Sequence, residues 1–583
     1  MGSRWDGVAG TRTDIPGCPV QFSPSWKLPS PSVVPPLAPW PAPDADHLLV
    51  TAAEMAALEA QVFASGLPVA ALMEKAALAI SARLLARAGT DRAGLIAPGQ
   101  GVLVLVGPGH NGGDGLVMAR ELHLAGVAVR IWSPFERHKP LTDAHLRHAL
   151  WLGIPRLEAV PEPGDPELWI DALFGIGQSR APGEPLEGLL EERQGLRPQR
   201  LLAVDGPTGL CADSGRLLGR GGATAERTWS IGLLKRGFVQ DTALARVGQL
   251  ERIDLGLPPS LLATLPAGTP LALTGGDRPS APWPRADPAA GKYGRGRLLV
   301  VAGSRHFRGA AHLALAGAGA SGCGSVRAAL PQELVDHLWM VHPEVVVSAA
   351  LGATAAGGLD LAPLAALDLE RFDAILLGPG LGGEAPAAGE ATSWRLLQAF
   401  PGLVVLDADG LNRLALWGHP ANGALASEAS ELAEDPCRWL RLRGGPTWIT
   451  PHAAEFARLF PALRGLDPLT AASKAARTSG ATVLLKGART VVAAADGRRW
   501  QLLQAAPQAA RAGLGDVLAG YAAGRGAAAL ACGRELQTAD RRADASLLAA
   551  VALAHAEAGL GCLERWGPGG VSPQAVAADL QRH

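Results

Sequence analysis

With 583 residues the chain is too long for one hydrophobic core, and at about 150 residues per domain it asks for several domains or two large ones. A net charge of -1 gives no electrostatic case for nucleic acid or an anionic membrane as partner, which leaves small-molecule work. The six cysteines (Cys18, Cys211, Cys323, Cys437, Cys532, Cys562) form no C-x-x-C pair, and the most apolar stretches, 311–330 and 549–562, are broken by Gly, His, Arg or Glu; zinc, a disulfide framework and a membrane span are unsupported, and a reducing cytoplasm is expected.

Residues 1–45 carry many prolines, several tryptophans and little periodicity, and they lack the pattern of a secretory signal; a disordered extension is expected there. From Thr51 the pattern changes. Thr51, Glu54 and Met55 open a helix start, and apolar residues recur at helical spacing through Leu72, Met73 and Leu85, so a first domain is expected over 46–257. The apolar run 101–109 ends in Gly and Pro, as a buried parallel strand does. His110-Asn-Gly-Gly-Asp-Gly115 then leads into a helix, a strand, turn and helix unit of the kind that sets free backbone amides against phosphate. A tight turn alone would explain the glycines, whereas Asn111 and Asp114 favour a ligand.

Further strands are expected at 127–132, 168–177, 201–209, 228–232 and 250–256, each of the first three ending in polar residues. In an open parallel sheet the carboxyl ends of strands share one edge, so Asn111, Asp171, Asp205 and Thr208 are expected to converge on one crevice. An all-oxygen set of this low charge suits K⁺ or a hydrated Mg²⁺ better than zinc.

Residues 258–290 hold many prolines and no sustained periodicity, which marks a linker, with the two halves expected to separate near Pro279. A second series over 291–583 repeats the α/β rhythm, with strands at 297–304, 374–382, 403–412, 447–456 and 482–492 and a small-residue helix at 309–324 that must pack very closely. It ends in Arg-Ala-Gly-Leu-Gly-Asp-Val-Leu-Ala-Gly (511–520). Gly513 and Gly515 leave room for a ligand beside the free amides of the next helix. Asp516 is then either a base for a substrate hydroxyl during phosphoryl transfer or an ordinary helix-start carboxylate. His452, after Thr450-Pro451, reads equally as a ligand contact or a helix cap, and Lys486-Gly487 as a nucleotide contact or a solvated strand end.

The order VGPGHNGGDGLVMARELHLAG, AVDGPTGL, VVAGS, LLGPGLG, LDADGLN, TPHAAEF, LLKGARTVV, GLGDVLAG over about residues 50–580 resembles the bifunctional NAD(P)H-hydrate repair enzymes. The resemblance implies an N-terminal Rossmann-like NAD(P)HX epimerase domain followed by a C-terminal ribokinase-like, ADP-dependent (S)-NAD(P)HX dehydratase. It implies that His110, Asn111, Gly112, Gly113 and Asp114, with Gly175, Ile176, Gly177, Gln178, Ser179, Arg180 and Ala181, hold the hydrate. Asn111, Asp171 and Thr208 would bind K⁺, and Asp205 would contact the substrate as acid and base. In the second half Ala310 or Ala311, Gly382 and His452 would line the hydrate site; Lys486, Gly487, Ala488, Arg489, Thr490 and Gly515 would hold ADP with Mg²⁺; and Asp516 would be the base. NADHX, NADPHX and ADP are the implied partners, and a homo-oligomer is expected. Three positions depart from the family pattern: His110 stands where Asn is common, Thr208 where Ser is usual, and Leu514 where Ser or Thr is usual. Two other readings compete, a ribokinase-like kinase of a vitamin-like alcohol and an N-terminal half that only binds nucleotide.

Overall fold

The computed structural model describes residues 39–86, 96, 99–284, 287–383, 388–417, 436–535 and 544–582. Two large sheets carry the chain, and each is built on continuous apolar strands whose residues are buried.

The first sheet has seven strands, all parallel, in the spatial order Arg156–Leu157, Val129–Trp132, Val102–Val106, Leu168–Ala172, Leu201–Val204, Arg227–Ile231, Gln249–Ile253. The order reverses direction between Val102–Val106 and Leu168–Ala172, and a doubly wound sheet opens its ligand crevice at such a place. The helix Ala52–Ala64 is started by Thr51 and Glu54 in a reciprocal cap: Thr51 Oγ1 accepts from the Glu54 amide at 3.1 Å and the Thr51 amide donates to Glu54 Oε2 at 2.7 Å. Such a cap stabilises a helix by about 1 kcal/mol.

The second sheet has ten strands, ordered Leu271–Leu273, Arg499–Leu502, Val491–Ala493, Thr482–Leu485, Thr447–Ile449, Leu403–Leu406, Ala374–Leu377, Arg297–Val301, Ser325–Pro331, Val346–Leu351. It is mixed: Thr482–Leu485, Val491–Ala493 and Arg499–Leu502 pair antiparallel, and the other pairings are parallel. Its reversal falls between Arg297–Val301 and Ala374–Leu377. The small-residue helix Arg308–Ala320 lies against Leu514–Glu535 as closely as expected, since a Cβ at Gly317 would sit 2.1 Å from Val517 O and one at Gly520 1.9 Å from Ala314 O.

Two expectations need correction. The stretch 258–290 is no free linker, because Leu271–Leu273 pairs with Arg499–Leu502 as an edge strand of the second sheet and the Asp277 carboxylate accepts from Thr274 N. Three residues between prolines are too short to show periodicity, which is why the strand is invisible in the sequence. The extension expected over 1–45 lies outside the described residues up to position 38, but from Pro39 the chain joins one compact unit. Trp40 is buried in the core of the second half, with its indole N–H donating to Asp277 O at 3.2 Å and its carbonyl accepting from Trp500 Nε1 at 2.8 Å. Finally, Ala545–Trp566 is long and apolar enough to cross a membrane by composition, yet 67% of its most apolar window is buried inside the protein, as a core helix is.

Candidate active sites

The segments that leave two neighbouring strands build the first crevice. Val102–Val106 delivers the turn Gly107–Gly109 and the helix His110–Leu124. A Cβ at Gly112 would lie 2.1 Å from Gly107 O, so this turn closes only with glycine there. Asn111 is buried, and neither atom of its amide has a hydrogen-bond partner, an expensive arrangement unless something binds it. Leu168–Ala172 delivers Asp171, fully buried, whose oxygens accept from Thr208 Oγ1 at 2.7 Å and Thr208 N at 2.8 Å. Burial raises the Asp171 carboxyl to about 6, against the lowering effect of its bonds from Thr208 and Leu173. A buried carboxylate whose donors carry no full positive charge, and a buried amide without a hydrogen-bond partner, are oxygen groups of the kind a monovalent cation takes.

Asp205 follows the strand Leu201–Val204 in left-handed conformation at φ 58°, so its carboxylate is aimed by backbone geometry few residues adopt. Lys235, whose side chain is fully buried, donates to Asp205 Oδ1 at 2.9 Å, and the Ile231 amide donates to the same oxygen at 3.1 Å. Oδ2 lies 3.4 Å from the Ile176 amide, and a Cβ at Gly175 would stand 3.1 Å from it and 3.4 Å from Asn111 Cγ. The loop 175–181 therefore joins Asn111 and Asp205 in one place. Gln178 is spent on that loop, donating to Gly175 O and accepting from the Gly209 amide, while Ser179 and Arg180 are exposed. His110 and Asp114 open onto a neighbouring shallow cleft lined also by Glu59, Met73 and Ile231. Burial, then Asp205 and Glu59 nearby, push the Asp114 carboxyl well above the usual range, and burial and Asp205 raise Glu59 as well.

The second crevice repeats the plan on the other sheet. Asp407 follows Leu403–Leu406, His452 follows Thr447–Ile449, Lys486 follows Thr482–Leu485, and Gly382 lies beyond Ala374–Leu377. Lys486 Nζ donates to Asp407 Oδ1 at 2.7 Å and lies 4.0 Å from Glu455. A Cβ at Gly515 would sit 3.2 Å from that ammonium, so the Gly-Leu-Gly-Asp turn and Lys486 meet. Asp516 stands in the first turn of Leu514–Glu535, its carboxyl raised from 3.8 to about 7 by burial first and then by Asp407, with Lys486 pulling the other way. A group that titrates there can accept a proton at neutral pH. The Gly382 amide donates to Asp409 Oδ2 at 2.9 Å and its carbonyl accepts from Arg413.

Of the paired alternatives, Ala310 is half-buried and faces Gly380, whose added Cβ would lie 2.7 Å from it, whereas Ala311 is buried in the core. His452 is a helix cap: Nδ1 accepts from the Ala454 amide at 3.1 Å, and its half-exposed ring also meets Glu455. Arg489 corrects the expectation most sharply, because its buried guanidinium donates to Phe238 O and Leu503 O and is unavailable to a nucleotide. Five charged residues of the two crevices, Lys235, Asp407, Asp409, Glu455 and Glu59, were not among the expected ones. The signal for Lys235 is a lone lysine embedded in an apolar stretch, Leu233-Leu234-Lys235, after a buried strand.

Two crevices, one along the carboxyl edge of each sheet and the first at its sheet's reversal, define an α/β enzyme with two sites. The family model for the YjeF-related protein N-terminus matches residues 69–237, and that for NAD(P)H-hydrate dehydratase matches 298–582. A bifunctional NAD(P)H-hydrate repair enzyme of Gloeobacter violaceus is 42% identical over 481 residues, covering 81% of this chain and 87% of its own. The one from Synechocystis sp. is 40% identical over 478 residues (82% and 85%), and that of Leishmania braziliensis 32% over 441 residues (72% and 76%). The chain belongs to the bifunctional NAD(P)H-hydrate repair enzymes, a Rossmann-like N-terminal domain followed by a ribokinase-like one.

Proposed function

We propose that the N-terminal crevice interconverts the R and S hydrates of NADH and NADPH, and that the C-terminal crevice dehydrates the S form with ADP. The observation that carries the second assignment is Asp516, half-buried and with its carboxyl pushed up to about 7, set beside Gly515 and the Lys486 ammonium. Asp516 takes the proton of the C6 hydroxyl as its oxygen bonds to the β-phosphorus of ADP and the bond to AMP breaks. The ring nitrogen then expels phosphate, a better leaving group than hydroxide, and loss of the C5 proton restores the dihydropyridine. Lys486 offers the nucleotide a fixed positive charge. Among the described residues no three acidic, His or Cys side chains form a ready metal cage, and Mg²⁺ accompanying ADP is commonly held by one or two carboxylates and phosphate oxygens.

In the first crevice Asp205 exchanges protons with the C6 hydroxyl that leaves one face and the water that adds to the other, and Lys235 holds that carboxylate in place. Asn111, Asp171 and Thr208 would hold K⁺, which supplies a fixed positive charge beside the hydrate. A homo-oligomer remains part of this reading. Membership of the family speaks against the vitamin-kinase alternative and against a merely binding N-terminal half. The test incubates the protein with mixed R and S hydrate, with and without ADP, and follows nicotinamide absorbance: full recovery of reduced cofactor with AMP as co-product is expected. Recovery of only the S fraction would remove the epimerase assignment, and a phosphorylated alcohol without reduced cofactor would remove the dehydratase one.

A further inference from the structure

The loop 486–490 joins the antiparallel strands Thr482–Leu485 and Val491–Ala493, and its Gly487 and Ala488 are exposed. At its start, the Lys486 amide donates to Pro451 O and its ammonium to Asp407. Its middle is held by the other half of the molecule. Asp241, in a short turn that comes after Lys235, accepts from the Ala488 amide through Oδ2 and from the Arg489 amide through Oδ1, both at 2.9 Å. The approach leaves no room at Gly487, where an added Cβ would stand 2.6 Å from Asp241 Oδ2. Asp241 is itself fixed from the second sheet: Arg489 Nη1 donates to Phe238 O at 2.9 Å, Gln501 Nε2 to Val239 O at 2.9 Å, and Gln240 Nε2 to Gln501 Oε1 at 3.0 Å. These bonds are buried, where lost partners are costly.

We propose that Asp241 of the N-terminal domain is a positioning residue for the nucleotide loop of the C-terminal domain, so that the dehydratase borrows part of its ADP site from its neighbour. The inference rests on the assignment of loop 486–490 to the nucleotide. One carboxylate on two successive amides makes two charge-assisted bonds, and it sets the loop in a single conformation before ligand arrives. Without it the loop must be ordered by ADP itself, at the expense of affinity. The lysine that positions the epimerase carboxylate, Lys235, lies six residues before Asp241 in the same chain segment, which ties the frames of the two sites to one element.

The test uses the full chain with Asp241→Ala and Asp241→Asn, the second being nearly isosteric and able to keep one of the two bonds. Asp241→Ala should raise KM for ADP about tenfold with kcat changed less than twofold, Asp241→Asn should fall between, and epimerisation of R hydrate without ADP should run at the parent rate. In nucleotide-free protein, Asp241→Asn should speed hydrogen exchange in the peptide 484–492. An unchanged KM, or a loop whose exchange ignores Asp241→Asn, overturns the proposal, as does a parallel loss of both activities. Hydrogen exchange of the parent protein with ADP separates the underlying assignment: protection of 484–492 upholds the nucleotide loop, and its absence removes that assignment together with the role of Asp241.

Discussion

The two crevices are built alike and charged differently. In the first, Asp205 is answered by the buried Lys235 and Asp171 by Thr208, while Asp114 and Glu59 stand in the adjoining cleft with carboxyls raised by burial and by Asp205. In the second, Asp407, Asp409, Glu455 and Asp516 gather around Lys486, and all but one of the influences on the Asp516 carboxyl raise it. A site for hydroxyl exchange needs one carboxylate held and aimed, as Lys235 and the Ile231 amide hold Asp205. A phosphoryl-transfer site tolerates surplus negative charge because the nucleotide arrives with a divalent cation, and the surplus itself tunes Asp516 to accept a proton near neutrality.

The largest effects break this comparison at its centre. Asp516→Asn keeps the shape but cannot take a proton, so ADP-dependent formation of NAD(P)H should fall to background while R to S exchange stays at the parent rate; dehydration within tenfold of the parent would remove Asp516 as base. The same variant should gain stability at pH 7 and not at pH 4. Raising a carboxyl from 3.8 to about 7 means the folded state binds the extra proton between those values, so this group's contribution to stability declines as pH rises through that window. Thermal melts of both proteins at the two pH values check the sign. On the other side of the comparison, Asp205→Asn should bring epimerisation of R hydrate to the spontaneous rate with dehydration of S hydrate intact, measured by chiral separation of the hydrates.

A smaller effect sharpens the contrast. If Asp516 must be ionised, kcat/KM of the dehydratase should fall roughly tenfold per pH unit below about 7, since only the carboxylate form is productive. Epimerisation should show no such limb near 7 attributable to Asp516. A dehydratase profile flat from pH 6 to 8 would mean that the surplus charge is neutralised before chemistry and does not tune the base.

The sheet edges were legible because buried parallel strands are continuous apolar runs and their carboxyl ends must share an edge. Asn111, Asp171, Asp205, Thr208 and Lys486 fall where that rule puts them, and Asp516 stands at the glycine-rich start of a helix, as its motif indicates. Pairing across the sheet lies beyond the rule. Lys235 shares no motif with Asp205, and Asp407 and Asp409 are two carboxylates of one short stretch that only the fold separates, the first bonded to Lys486 and the second to Gly382. Strands at the margins were also hidden: Ser325–Pro331 is alanine-rich and ends in proline, and Val346–Leu351 is half-exposed along an edge. The joints between the halves were least legible, since Leu48 bridges Leu271, the Leu49 amide donates to Pro270 O and the Ala272 amide to His47 O, all within runs of two or three residues.

Those joints carry the smallest expected effect on activity and a clear one on stability. Trp40 lies in the segment before the first helix, 9% exposed, yet its indole packs into the core of the second half and donates to Asp277 O, while its backbone carbonyl accepts from Trp500 Nε1. Replacing a buried tryptophan with alanine costs about 3–5 kcal/mol, because a large apolar area returns to water and a cavity stays behind. In the full chain, Trp40→Ala should lower the melting temperature of the C-terminal half by several degrees while both activities, assayed well below the transition, stay near those of the parent. A fragment beginning at residue 280 suffers the same loss and also forfeits the edge strand Leu271–Leu273 and the Asp241 contact to loop 486–490, so it should be far less stable than the intact chain. Unchanged melting of Trp40→Ala, together with a soluble fragment 280–583 of parental stability, would show that the N-terminal segment and the stretch 258–290 only decorate a second domain that stands alone.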